Sequence, residues 1–251
     1  MAKIIAVANQ KGGVAKSTST QCIGHALARN KKRVLMVDLD AQSSLTILSG
    51  FHPAKLGDKN MSSIMDKEGA DIRNIIVALK DNLHIACAHP DLSVSQIVMV
   101  GRTDREHILK RVLKVVDEYY DYILLDCPPD LGLMTQNALS CADYVIIPSM
   151  PTEMSLIGIE LIKGSIAEAV AYTNPKLKEA GIIVTMLDVR DGTDVSCTEE
   201  IKKRYNVIGV VKARADVKKV KFGNCIIDTK PSCIVSREYF KIAELLMQLE
   251  G

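Results

Sequence analysis

A chain of 251 residues, 47% hydrophobic and 25% charged, is long enough to bury one substantial core and has an ordinary globular composition. Its formal net charge of +2 does not argue for nucleic acid, so any basic surface must come from local clustering. Seven cysteines, an odd number with no C-x-x-C pair, argue against a disulfide framework and against a zinc or iron–sulfur cage.

The first apolar run, residues 4–8, leads straight into a glycine-rich loop, which is not the pattern of a signal peptide. No stretch reaches the ~18 apolar residues needed to span a bilayer. A cytoplasmic location is expected. In chain order, strands are predicted at 4–8, 33–37, 83–86, 122–125, 144–148, 182–186 and 207–211. Several are apolar throughout, as strands buried on both faces of a parallel sheet are. Helices are predicted at 17–29, 105–118, 153–172, 195–205 and 237–249, with a loop and a short helix over 50–70. This alternation predicts an α/β fold, a doubly wound and mostly parallel sheet with helices on both faces, as one domain over 1–251.

The loop after the first strand reads Asn9-Gln10-Lys11-Gly12-Gly13-Val14-Ala15-Lys16-Ser17-Thr18 and opens an amphipathic helix, the context that a P-loop requires. Its backbone N–H groups and the helix N-terminus cradle phosphate. Residues 11–18 are therefore the candidate nucleotide site. Lys16 would neutralise the β/γ-phosphates of ATP, and the Ser17 hydroxyl would ligate Mg²⁺. Gln10 and Ala15 stand where the common motif has glycine. If position 15 requires φ > 0, its Cβ costs about 1 kcal/mol.

This segment resembles the deviant Walker A motif of the ParA/MinD ATPases, closest to the short, Soj-like ParA proteins of DNA partition. The resemblance implies that Lys11, five residues before Lys16, reaches across an ATP-dependent homodimer into the other active site. The family more often has Gly at the position of Ala15 and Thr at that of Ser17.

The second predicted strand ends in Asp38-Leu39-Asp40, two carboxylates at the strand edge where ligands bind in open α/β sheets. Asp40 could orient the attacking water and Asp38 support the magnesium shell; two solvated turn aspartates are the alternative. Residues 122–126, Tyr-Ile-Leu-Leu-Asp, form a Walker B pattern in which Asp126 would hold a magnesium-bound water. Gly132 can hinge a switch loop, and Asp130 stands where the family more often has Ser. Met186 could stack on adenine, with Val211 and Lys212 on the next strand, although a Met after an apolar strand also serves as core.

Lys202, Lys203, Arg204, Lys212, Arg214, Lys218, Lys219 and Lys221 fall in one stretch with Asp216 as its only acid. Such a run is either a solvated face or a phosphate-binding surface. With aromatics at 4% and no Trp, nonspecific duplex binding fits better than stacking on single-stranded bases. Apart from Lys212, these are the candidate DNA-binding residues. The resemblance implies a slow, Mg-dependent DNA partition ATPase, nucleoid-associated and stimulated by a ParB-like centromere-binding protein. A noncatalytic nucleotide-gated dimer and a MinD-like membrane ATPase are the alternatives. The acidic amphipathic C-terminus would be repelled by anionic lipid and is expected to be the last helix of the fold, with no membrane partner.

Overall fold

The computed structural model describes residues 1–249, apart from the side chain of Lys218. Eight strands and eleven α-helices alternate: β1 (Lys3–Val7), α1 (Lys16–Arg29), β2 (Val34–Asp38), α2 (Ser44–Leu48), α3 (Met61–Met65), β3 (Ile76–Lys80), β4 (Leu83–Ala86), α4 (Leu92–Val100), α5 (Ile108–Lys114), β5 (Tyr122–Asp126), α6 (Leu133–Cys141), β6 (Tyr144–Ser149), α7 (Glu153–Tyr172), β7 (Lys178–Leu187), α8 (Gly192–Arg204), β8 (Val207–Lys212), α9 (Ala215–Lys218), α10 (Ile226–Thr229) and α11 (Ile234–Gln248). The sheet order is β3-β4-β2-β5-β1-β6-β7-β8. Every pairing is parallel except β3 with β4.

Strand alternation sorts the core into two layers. Leu35, Val37, Ile123, Leu125, Val145 and Ile147 face one layer with α3 to α8. Val34, Met36, Leu124 and Ile146 face the other, beneath α1, α10 and α11. Successive side chains of a strand point to opposite faces, so a run with both faces covered must be apolar throughout. The fully buried strands β2, β5 and β6 obey this rule up to their last residues, Asp38, Asp126 and Ser149. Crossovers run from β1 past β5 to β2, and from β5 past β1 to β6. This reversal opens the crevice at the carboxyl ends of the central strands, where ligands collect in such sheets.

Seven predicted strands are present, with ends shifted; β7 starts earlier, at Lys178, and carries bulges where it meets both neighbours. The predicted helix over 105–118 resolves into a 3-10 turn, Arg105–His107, and α5. The edge strand β3 and helices α4 and α6 were not among the predicted elements. Both edge strands carry a contact to a carboxylate. On the outer edge the Val210 amide donates to Glu238 Oε1 at 3.0 Å. At the β3 edge, Lys80 pairs with Asp228 at 2.6 Å.

Candidate functional site

The loop between β1 and α1 is held from three directions. Asn9 Nδ2 donates to the Pro148 carbonyl at 2.7 Å, while Asn9 Oδ1 accepts from the Lys11 amide at 3.0 Å. Thr185 Oγ1, at the end of β7, donates to the Val14 carbonyl at 3.1 Å. Gly13 has φ 73°, and Ala15 lies in the left-handed region at φ 63°, ψ 34°. The condition for Ala15 strain is therefore met: a β-carbon sits where glycine is favoured, at about 1 kcal/mol. Gly12 and Gly13 are exposed, Val14 is buried, and Ser17 and Thr18 are half-buried.

Lys16 opens α1 and is buried, its Nζ donating to the Lys11 carbonyl at 3.0 Å. Burial lowers its pKa, opposed chiefly by Asp126. Lys11 turns the other way, donating from Nζ to Thr152 Oγ1 at 3.2 Å just before α7. The helix that follows, α7, exposes the apolar side chains Met154, Ile157 and Leu161.

Asp38 and Asp126 end adjacent strands in register and are fully buried. Asp38 Oδ2 accepts from both the amide and the hydroxyl of Thr46 at 2.8 Å, and Oδ1 from the Asp40 amide at 3.1 Å. Both its oxygens are thus committed to the chain's own donors. Burial raises its pKa to about 7. Asp126 Oδ1 accepts from Thr20 Oγ1 at 3.3 Å, whereas its Oδ2 is buried with no hydrogen-bond partner. Burial first, then the charge of Asp38, hold the Asp126 carboxyl well above the ordinary range; Ser17 and Lys16 oppose them. Asp40 is nearly buried and accepts from the Gln42 amide at 2.9 Å. Burial raises its pKa too.

An unpaired carboxylate oxygen in a dry site is costly unless a cation or proton meets it. Asp126 Oδ2 beside Ser17 therefore fits a hard divalent cation shared with phosphate oxygens. Sequence reasoning missed the hydroxyls that hold this site, Thr20, Thr46, Thr152 and Thr185. Only Thr20 had a local signal, standing one helical turn after Lys16 and donating to the Lys16 carbonyl at 3.1 Å.

Met186 is half-buried at the bulged end of β7, with φ 55°. Leu187 pairs with Lys212, so the strand ends carrying Met186, Val211 and Lys212 are neighbours. Val211 is buried in the layer under α11, and Lys212 is exposed.

The basic stretch is divided. Lys202, Lys203 and Arg204 form the last turn of α8 before β8 begins, with Lys202 paired to Glu199 at 2.8 Å and Arg204 to Glu200 at 2.6 Å. Lys212 ends β8, Arg214, Lys219 and Lys221 follow it, and all four are exposed. A six-residue strand rises about 17–20 Å, so the two groups occupy opposite ends of the sheet. Arg214 lies 3.6 Å from Asp216, and the side chain of Lys218 is outside the described residues. Among the described residues, no helix is long and apolar enough to cross a membrane.

Comparison with known proteins places this geometry. The family model described as "AAA domain" matches residues 2–179. The chain is 38% identical over 206 residues to the sporulation initiation inhibitor protein Soj of Bacillus subtilis, covering 82% of this chain and 81% of that protein. Among solved structures, cobyrinic acid a,c-diamide synthase from Mycobacterium smegmatis with bound ADP and magnesium superposes with a TM-score of 0.86 at 29% identity, over 98% of this chain and 94% of that one. A plasmid partition protein from Borrelia burgdorferi B31 bound to AMPPNP gives 0.81 at 25% identity, over 98% of each chain. With a family model across most of its length and a Soj relative matched over four-fifths of both chains, this protein belongs to the ParA/Soj family of P-loop ATPases.

Proposed function

We propose that this chain, as one P-loop domain over 1–251, is a Mg-dependent DNA partition ATPase. It dimerises on ATP, binds duplex DNA nonspecifically, and is reset by slow hydrolysis that a ParB-like centromere-binding protein stimulates. The observation that carries the reading is the strand-end acid Asp126, buried with one oxygen unpartnered beside Ser17 and Lys16. Mg²⁺, when bound, offsets the charge on the β- and γ-phosphates.

The chain's own residues divide the remaining work. The amides of Gly12, Gly13, Val14 and Ala15, with Thr18, receive the phosphates, and Lys16 leaves the Lys11 carbonyl to meet them. Ser17 and Asp126 face the cation. Asp38, its oxygens engaged by Thr46 and Asp40, supports that shell by fixing the strand end and α2. Asp40 orients the attacking water. Met186 and Lys212 border the base, with Val211 packed beneath.

Lys11 is held by a single side-chain bond to Thr152, and the helix that begins there, α7, exposes Met154, Ile157 and Leu161. A lysine that is cheap to release beside an apolar helix face supports a second copy as the acceptor of that lysine. Lys11→Ala is expected to bind ATP within about twofold of wild type, yet lose ATP-dependent dimerisation in light scattering and at least tenfold in turnover. A Lys11→Ala protein that dimerises and turns over normally overturns the assignment. Ala15, held at φ 63°, favours a second reading, a noncatalytic nucleotide-gated dimer. Phosphate release with and without DNA separates the two.

A further inference from the structure

Asp130 is an exposed acid in the segment between β5 and α6. Its Oδ1 accepts from the Gly132 amide at 2.8 Å, and its carbonyl accepts from Thr135 Oγ1 at 2.8 Å at the start of α6. Close approach fixes this turn: a Cβ on Gly132 would lie 2.8 Å from Asp130 Oδ1 and 3.3 Å from Gln96 Oε1. The neighbouring Pro129 reaches the phosphate loop, its Cβ standing 4.0 Å from where a Gly12 Cβ would be. The carboxylate is thus anchored at the rim of the nucleotide site, and its charge is felt at both Lys16 and Asp40.

We propose that Asp130 is a specificity-determining residue that weakens ATP relative to ADP by setting a fixed negative charge at the γ-phosphate end of the site. This rests on the ATPase reading. Asp38, Asp40 and Asp126 are buried, whereas Asp130 is exposed at the mouth. ATP brings one more phosphoryl group than ADP, so a nearby carboxylate repels it more. At intermediate dielectric and a separation of several ångströms, one such charge changes affinity about threefold to tenfold. Salt weakens the effect, because the group is solvent-facing.

The test measures equilibrium binding of AMPPNP and of ADP, with magnesium, to wild type and to Asp130→Asn at low and high salt. Asn keeps an Oδ1 acceptor for the Gly132 amide and removes only the charge. AMPPNP should tighten threefold to tenfold, ADP less than twofold, and the gap should narrow at high salt. Asp130→Ser, which also keeps an oxygen acceptor, should behave alike and guards against a misfolded Asn variant. Equal tightening of both nucleotides, or no change in either, overturns the proposal. If wild type binds neither nucleotide, the ATPase reading itself fails.

Discussion

The carboxylate-bearing strand ends and the lysine-bearing flanks of β8 are both charged, yet they are built in opposite ways. Asp38 and Asp126 are fully buried and meet across adjacent strands, and Thr46 and Thr20 donate to them. The basic residues around β8 are exposed and make few side-chain bonds. The difference teaches how position becomes proximity in a parallel sheet. Acids at equivalent ends of neighbouring strands converge although they are far apart in sequence. Lysines on either side of a single strand separate although they are close in sequence.

The largest expected effects break the acid cluster into two roles. Asp40→Asn should slow hydrolysis about 100-fold while leaving ATP affinity within a few-fold, as loss of a water-orienting group does. Asp126→Asn should instead lower Mg-dependent nucleotide affinity by about 10–100-fold, the range seen when groups around a metal are altered. Because burial and Asp38 already hold the Asp126 carboxyl pKa well up, removing its charge should leave the thermal midpoint of the nucleotide-free protein unchanged or raised. Equal loss of Mg-dependent affinity in both variants would erase the division.

A smaller effect sharpens the contrast between the two ends of β8. Replacing Lys219 and Lys221 by Ala should weaken duplex DNA binding about tenfold and reduce the salt slope by about 2. The same change at Lys202 and Lys203 should cost less than about threefold. Lys202 is engaged by Glu199, and both residues lie at the end of the sheet away from the nucleotide loop. Matching losses in a salt titration would mean that the strand does not divide the surface functionally.

The smallest effect concerns Ala15. Glycine there relieves about 1 kcal/mol of left-handed strain, but adds unfolded-state freedom of similar size, so stability should scarcely move. Turnover should rise several-fold, more than ATP affinity does, because alignment of the γ-phosphate tolerates less error than binding. Unchanged turnover in Ala15→Gly would show that the loop already accommodates the methyl group.

The elements legible in the sequence were those whose chemistry is local. The phosphate loop, the Asp38 and Asp126 strand ends and the long helix α7 each announce themselves within a few residues. What escaped depends on distant partners. Helix α6 carries buried Thr135, which bonds back to Asp130, and buried Asn137 and Ser140, which bond to residues 105–109, so it shows no simple apolar stripe. Helix α4 is apolar on nearly every side, exposing Val94, Ile97, Val98 and Val100, and periodicity cannot orient it. Strand β3 is a half-buried edge strand joined to β4 by a two-residue turn. Apart from Thr20, the threonine hydroxyls that hold the site have no local signature, since Thr46, Thr152 and Thr185 make their contacts 8 to 171 residues away. Asn9, Asp38, Asp40 and Asp130, each accepting from the amide two residues on, carry part of their geometry in their own neighbourhood.

The Glu238 contact to β8 has a consequence for colloidal behaviour. An open edge of a sheet is a template on which another chain can extend hydrogen bonding, and a long exposed edge is where aggregation begins. Here the Val210 amide is already taken by a carboxylate that carries its own charge, so an incoming strand would have to displace a hydrogen bond and desolvate an anion together. At the other margin, Lys80 of β3 adds charge through its side-chain ion pair with Asp228. The Val210 position of the β8 margin is thus guarded against an incoming strand.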